Sequence, residues 1–413
     1  MTNEKYSKPT KELILDAAFS FLEEPRYNMF SMNELAERVG ITKPAIYRHF
    51  KGKEEVLSAM EKRLFDDLAE YLSKINASDA ASSKIPLANL IHYFLQNPNY
   101  INYFIAQMSS VQNYEEKVFN ELQSRNVPVF LRTQTISTNV TEFAKHVFSG
   151  MTIFYFVKVQ EKFIKMGLVQ KVPENFALQI VELMIEGIAK LGPENPDFLI
   201  EKLSEQRKNE LLQLCKISPE IFPKENKIFT ALASVIEKYK FPGVTVERIA
   251  EELNMAKSSL YEYFDNKNQM VKTLINRELQ LLQTIIIENS AEAKNFTEYV
   301  YILIASEIEY FNHRPSIIPI CGWLLMGSAD DFEKAAKDAE KNEGCGNSPW
   351  EKRLPRTIRV KGLEFPCPVE VITDWIKCLP IAFFVESKGK KFTQEQSMEC
   401  FMQIIDYILF GIK

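Results

Sequence analysis

The chain has 413 residues, 46% of them hydrophobic, and a formal net charge of −5. That length suits two or three domains with ample apolar content for packed cores, and the mild acidity gives no global sign of a nucleic-acid binder. No apolar run reaches the roughly 18–20 residues of a membrane span, and the polar, lysine-bearing N-terminus is unlike a signal peptide. All six cysteines lie from Cys215 onward without a CxxC pair, so neither a disulfide framework nor a zinc site is indicated and a cytoplasmic protein is expected.

In chain order, Ile14, Ala17, Ala18, Phe21 and Leu22 give a first helix one apolar face. Ser31 is a good N-cap, and Glu34 three residues on completes a capping-box pattern before Leu35, Ala36 and Val39. Gly40 stands where a tight turn needs positive φ. Thr42 is placed to cap the next short helix, with Pro44 tolerated in its first turn. Ile46 and Phe50 give that helix a buried side, while Lys43, Tyr47, Arg48 and His49 supply polar reach. Gly52 and Lys53 open a long helix with Val56, Leu57, Met60, Leu64, Leu68, Tyr71 and Ile75 inward. The layout is that of a helix-turn-helix.

The pattern returns without a gap 214 residues later. SMNELAERVGITKPAIYRHFKGKEEVL from Ser31 aligns with TVERIAEELNMAKSSLYEYFDNKNQMV from Thr245. Ile228, Ala231, Leu232, Val235 and Ile236 repeat the first helix; Thr245 caps, Ile249, Ala250 and Leu253 form core, and Asn254 takes the left-handed turn position. Leu260 and Phe264 form the buried side of the second helix. Lys267 opens a long one with Met270, Leu274, Leu281 and Ile285 inward. Later, Tyr93–Pro98 resembles Tyr310–Pro315, and Ile180–Ile188 resembles Ile404–Ile412. Two full-length units of about 200 residues follow, with a helical connector from Asp197 to Leu214 between them.

The run ITKPAIYRHFKGKEEVL, and more loosely MAKSSLYEYFDNKNQMV, resembles the DNA-binding domain of the TetR/AcrR family of bacterial transcriptional regulators. The resemblance implies an all-α fold with a pseudo-two-fold arrangement: two tandem helix-turn-helix heads, each on a helical core of the ligand-binding and dimerisation type. The expected division is a first head at 1–55, its regulatory core at 56–195, the connector at 196–222, a second head at 223–269 and its core at 270–413. It implies a double-stranded DNA operator as partner and a small apolar effector, with no cofactor. Thr42, Lys43, Pro44, Tyr47, Arg48 and His49 would face the groove or its flanking phosphates, with Lys53 at a helix N-terminus anchoring a phosphate. In the second copy Lys257, Ser258, Ser259, Tyr261, Tyr263 and Lys267 would do the same. In such proteins the last two long helices of each subunit form a four-helix dimer interface. Here Glu142–Met166 and Pro173–Leu191 would meet Thr373–Val385 and Thr393–Ile412 within one chain, giving a monomer that mimics a dimer, its recognition helices about one DNA turn (~34–36 Å) apart.

The copies are unequal. Residues 31–57 carry five basic against four acidic side chains, residues 245–271 three against five, with Glu262 where Arg48 stands. The first head is therefore expected to grip DNA more strongly. The alternative reading is a helical ligand sensor or interaction scaffold with one or both heads degenerate, in which Tyr47 and Tyr261 are partly buried packing residues. The many aromatics of the cores, and the polar His92, Asn102, Gln107, His146 and His313 among them, read first as packing. The basic run Lys352–Lys361, flanked by Cys345 and Cys367, reads as a solvated loop. The four histidines are scattered and no HExxH, GxSxG, P-loop or GxGxxG motif occurs, so no enzyme is expected.

Overall fold

The computed structural model describes residues 8–23, 30–74, 84–110, 114–126, 139–165, 167, 170–191, 200–222, 227–239, 244–262, 267–321, 369–388, 390 and 392–412. The described residues are mostly helical and contain no strand. The chain forms two compact units, Met1–Gln134 with Phe163–Val172, and Thr135–Lys162 with Pro173–Lys413. The basic run Lys352–Lys361, Cys345 and Cys367 lie outside the described residues.

The first unit begins with α1 (Thr10–Ser20), a 3₁₀ turn (Phe21–Glu23), α2 (Met32–Val39), α3 (Lys43–Tyr47) and α4 (Lys53–Ser73). Ile14, Leu15, Ala18 and Phe19 of α1, Leu35 and Ala36 of α2, Ile46 and Phe50 are buried together with Phe21, Leu22 and Phe30. The expected inward Ala17 and Val39 are only half-buried, because Leu15 and Phe19 carry more apolar area to the same core. In α4 the buried row is Val56, Met60, Leu64, Phe65, Leu68 and Leu72, with Leu57 and Tyr71 at its margin. Arg63 ties α4 back to α1 through Glu12 at 3.3 Å and Asp16 at 2.7 Å; against the opposing effect of burial, Lys8 and Arg63 together hold the Asp16 carboxyl below its usual range. Beyond the head lie α5 (Lys84–Gln96), α6 (Pro98–Ser110) and α7 (Tyr114–Ser124). Tyr100 of α6 packs on Phe19 at 4.8 Å and donates to Asp67 of α4 at 2.5 Å, so the head sits directly on the helical core.

The second unit contains α8 (Val140–Lys165), most of which belongs here, then α9 (Phe176–Glu186), α10 (Glu205–Leu214), α11 (Lys227–Tyr239), α12 (Val246–Glu252), α13 (Lys257–Tyr261), α14 (Lys267–Ser290), α15 (Phe296–His313), α16 (Val369–Glu386) and α17 (Gln394–Phe410). Helix α15 is buried on nearly every side and is the centre of this unit, packed by α10, α14, α16 and α17. The connector helix starts at Glu205, capped by Ser204, rather than earlier. Leu211 is buried as expected, but Leu214 is exposed. It is bolted to α15: Arg207 donates to both oxygens of buried Glu298 at 2.8 and 2.9 Å, and the Cys215 thiol meets the Ile302 carbonyl at 3.6 Å. A bidentate pair of this kind fixes orientation as well as position.

Helices α8 and α9 of the first repeat pack against α16 and α17 of the second. Trp375 is fully buried between Phe148 and Phe156 (5.8 and 5.7 Å), and its indole N–H donates to Thr152 Oγ1 at 3.1 Å. Phe143 packs on Phe383 at 5.6 Å, and His146 faces Glu386 at 3.3 Å. At the helix ends Gly187 (φ 66°) and Gly411 (φ 78°) cross so closely that a Cβ on Gly187 would lie 2.4 Å from the Gly411 nitrogen. The Ile412 N–H donates to the Met184 carbonyl there at 2.8 Å. Only glycine combines that backbone with that approach.

Candidate nucleic-acid interface

In both heads the backbone does what the sequence pattern dictates. Ser31 accepts from the Glu34 N–H at 3.2 Å and Glu34 returns a bond to the Ser31 N–H at 2.7 Å, closing the capping box. Thr245 accepts from the Arg248 N–H at 3.2 Å, but Arg248 stands where Glu34 does, so the second half of the box is missing. Gly40 (φ 78°) and Asn254 (φ 52°) make the same left-handed exit. The bond that closes it recurs at the same offset, Ile41 N–H to Ala36 O at 3.0 Å and Met255 N–H to Ala250 O at 2.9 Å.

The turn aims α3 outward. Ile46 and Phe50 are buried, whereas Thr42, Lys43, Pro44, Tyr47, Arg48 and His49 are all exposed, Tyr47 by 45%. Positions i, i+1, i+4 and i+5 of a helix share one face, so Lys43, Pro44, Tyr47 and Arg48 form a single outward patch. Thr42 occupies the cap position without a side-chain capping bond, contrary to the expected role; its hydroxyl is not spent on its own helix. Lys53 is half-buried at the start of α4, its ammonium 5.5 Å from the Phe30 ring centroid. Lys43, Arg48 and Lys51 have no ion pair among the described residues.

The second head presents Lys257, Ser258 and Tyr261 (46% exposed) in the same way, with Ser259 half-buried and Leu260 buried beneath. Tyr263, the side chain of Lys267, and Phe264 lie outside the described residues. The packing reading of the two tyrosines does not fit their exposure. The electrostatics differ from those of the first head. The Lys257 ammonium is paired with the Glu247 carboxylate of α12 and lies 5.7 Å from the Tyr261 ring centroid. That hydrogen bond holds the Lys257 ammonium above its ordinary value and the Glu247 carboxyl below its own. The residue equivalent to Glu247 in the first head is Asn33, exposed and neutral.

A second pair inverts as well. Ser20 accepts from Arg38 at 3.2 Å in the first head, while its equivalent Ser234 donates to Glu252, the equivalent of Arg38, at 2.8 Å. Lys238 completes that cluster at 2.7 Å from Glu252, and stands where the first copy has Glu24. Sequence alignment gives these positions, but the pairings need the folded turn to become visible.

The polar residues of the cores have internal uses. Asn102 donates to the Leu22 carbonyl at 3.0 Å, and His92 and Gln96 share a bond at 2.8 Å. His313 bonds the Glu309 carbonyl at 2.9 Å and stacks on Phe222. Tyr93, Phe94, Tyr103, Phe104, Tyr299, Tyr301, Tyr310 and Phe311 are buried packing residues. No group of three or more metal-ligating side chains occurs among the described residues, and no described helix is long and apolar enough to cross a membrane.

Comparison with known proteins agrees with this geometry. The family model for bacterial regulatory proteins of the tetR family matches twice, at residues 14–60 and 228–274. An HTH-type transcriptional regulator of Mycobacterium tuberculosis is 27% identical over 79 residues, 19% of this chain and 36% of that protein. The negative transcriptional regulator IcaR of the biofilm operon icaADBC of Staphylococcus aureus is 21% identical over 138 residues, 32% of this chain and 68% of its own length. Each family match falls on one of two helix-turn-helix heads built in the same register, so the chain carries twice a head similar to that of the tetR family of bacterial regulatory proteins.

Proposed function

We propose that this chain is a DNA-binding transcriptional regulator that works as a ligand-responsive repressor and carries its own dimer partner. The observation that carries the reading is the crossing of Gly187 and Gly411, which are equivalent positions of the two repeats. In a two-fold assembly a residue meets its own equivalent only at the axis, so this contact marks a pseudo-two-fold axis inside one polypeptide. The paired α8, α9, α16 and α17 then stand for the interface that two subunits would otherwise make.

The division proposed along the chain is a head at 1–55 with a core at 56–195, a connector at 196–222, and a second head at 223–269 with a core at 270–413. Lys43, Tyr47, Arg48 and His49 contact the major groove and its phosphates, joined by Thr42, Pro44 and Lys53. Lys257, Ser258, Ser259, Tyr261, Tyr263 and Lys267 are the corresponding set. An apolar effector within a core would tilt α4 and α14 and move the heads out of register with the groove, by an amount set by its differential affinity for the two states. The test is binding of the full chain to duplexes selected from a random pool, over a range of salt. Lys43→Ala with Tyr47→Ala is expected to remove most of the affinity and flatten the salt dependence by about one contact. Affinity that ignores salt and both substitutions contradicts the reading.

A further inference from the structure

The two heads share a backbone, yet they treat the first lysine of the outward helix in opposite ways. Lys43 has only neutral Asn33 at the position from which Glu247 reaches Lys257 in the second head. We infer that Glu247 is an affinity-setting residue that competes with the DNA backbone for Lys257, making the second head the weaker phosphate binder of an unequal pair. The inference rests on the DNA-binding reading above.

Three observations carry it. The pairing joins α12 to α13 across the turn, so it engages the same ammonium that a phosphate would take. The ammonium also lies near the Tyr261 ring, which keeps it within the head. Around it Glu251 and Glu262 are exposed, and Lys238 is engaged by Glu252, so the neighbouring carboxylates also disfavour a phosphate there. An exposed ion pair of this kind is weak; Glu247 therefore acts by competition, reducing but not abolishing the contact.

A mutant cycle on the full-length chain tests this, with anisotropy of a labelled duplex, selected by the wild-type chain, measured at several salt concentrations. Glu247→Asn, the residue of the first head, is expected to tighten binding several-fold at low salt and to steepen the salt slope by about 0.9. Lys257→Ala is expected to weaken binding modestly in the wild type and several-fold more in the Glu247→Asn background, where it cancels the whole gain. Glu251→Gln removes a neighbouring charge that does not touch Lys257, so any effect it has should be indifferent to Lys257→Ala. Glu247→Gln repeats the test should the asparagine variant melt early. Equal effects of Glu247→Asn and Glu251→Gln, or equal costs of Lys257→Ala in both backgrounds, overturn the inference. If Lys43→Ala still weakens binding in that case, the inference alone has failed; a wild-type chain with no salt-dependent binding overturns the DNA reading with it.

Discussion

Glu307 of α15 is fully buried, and its Oε2 has no hydrogen-bond partner among the described residues. Burial pushes its carboxyl well above the usual range, with the Lys377 charge acting the other way. Between the ordinary glutamate value of about 4.3 and the raised folded value, the native state holds a proton that the unfolded state has lost. Stability due to this group is therefore complete below that ordinary value and falls as pH rises through the interval. Glu307→Gln is expected to match or exceed the wild type in stability at neutral pH, with a flatter pH dependence in urea melts. A loss of about 3 kcal/mol or more would instead reveal a carboxylate that its surroundings need. The neighbouring Cys321 thiol, pushed up to about 12 by burial, is correspondingly unreactive.

Helix boundaries and turns in the heads were legible because single residues dictate them. Ser31, Gly40, Thr245 and Asn254 each impose one backbone conformation, and the structure shows all four as expected. Thr42 departs from this because its hydroxyl makes no capping bond. Ser31→Ala should cost about 1 kcal/mol of stability, whereas Thr42→Ala should cost under about 0.5 kcal/mol yet weaken DNA binding. Chemical denaturation beside DNA titration separates the two; equal stability losses would put Thr42 back among the caps. What periodicity could not supply was the pairing of side chains from different helices. Glu247 and Lys257 are ten residues apart on separate helices, and only the turn brings them together. Likewise the apolar spacing identified α4 but not its inner edge, since Phe65 and Leu72 displace Leu57 and Tyr71 from the core.

Contacts between the repeats follow from no local pattern, because their partners are more than 200 residues apart, as Trp375 and Thr152 are. The alignment of Ile180–Ile188 with Ile404–Ile412 suggested equivalence; the structure adds that the aligned glycines touch. Gly411→Ala would place a Cβ 2.0 Å from the Ile185 carbonyl oxygen in a left-handed backbone, so a large loss of stability is expected there. Trp375→Ala should cost about 3–5 kcal/mol by emptying the site between Phe148 and Phe156, with loss of DNA binding following from unfolding rather than from the heads. Whether one chain supplies both halves of a dimer is tested by the mass of the free protein and of its DNA complex, measured by sedimentation at micromolar concentration. The expected result is a free species near 47.8 kDa and one chain per duplex; a free mass of about twice that, or two chains on one operator, would contradict a self-contained dimer.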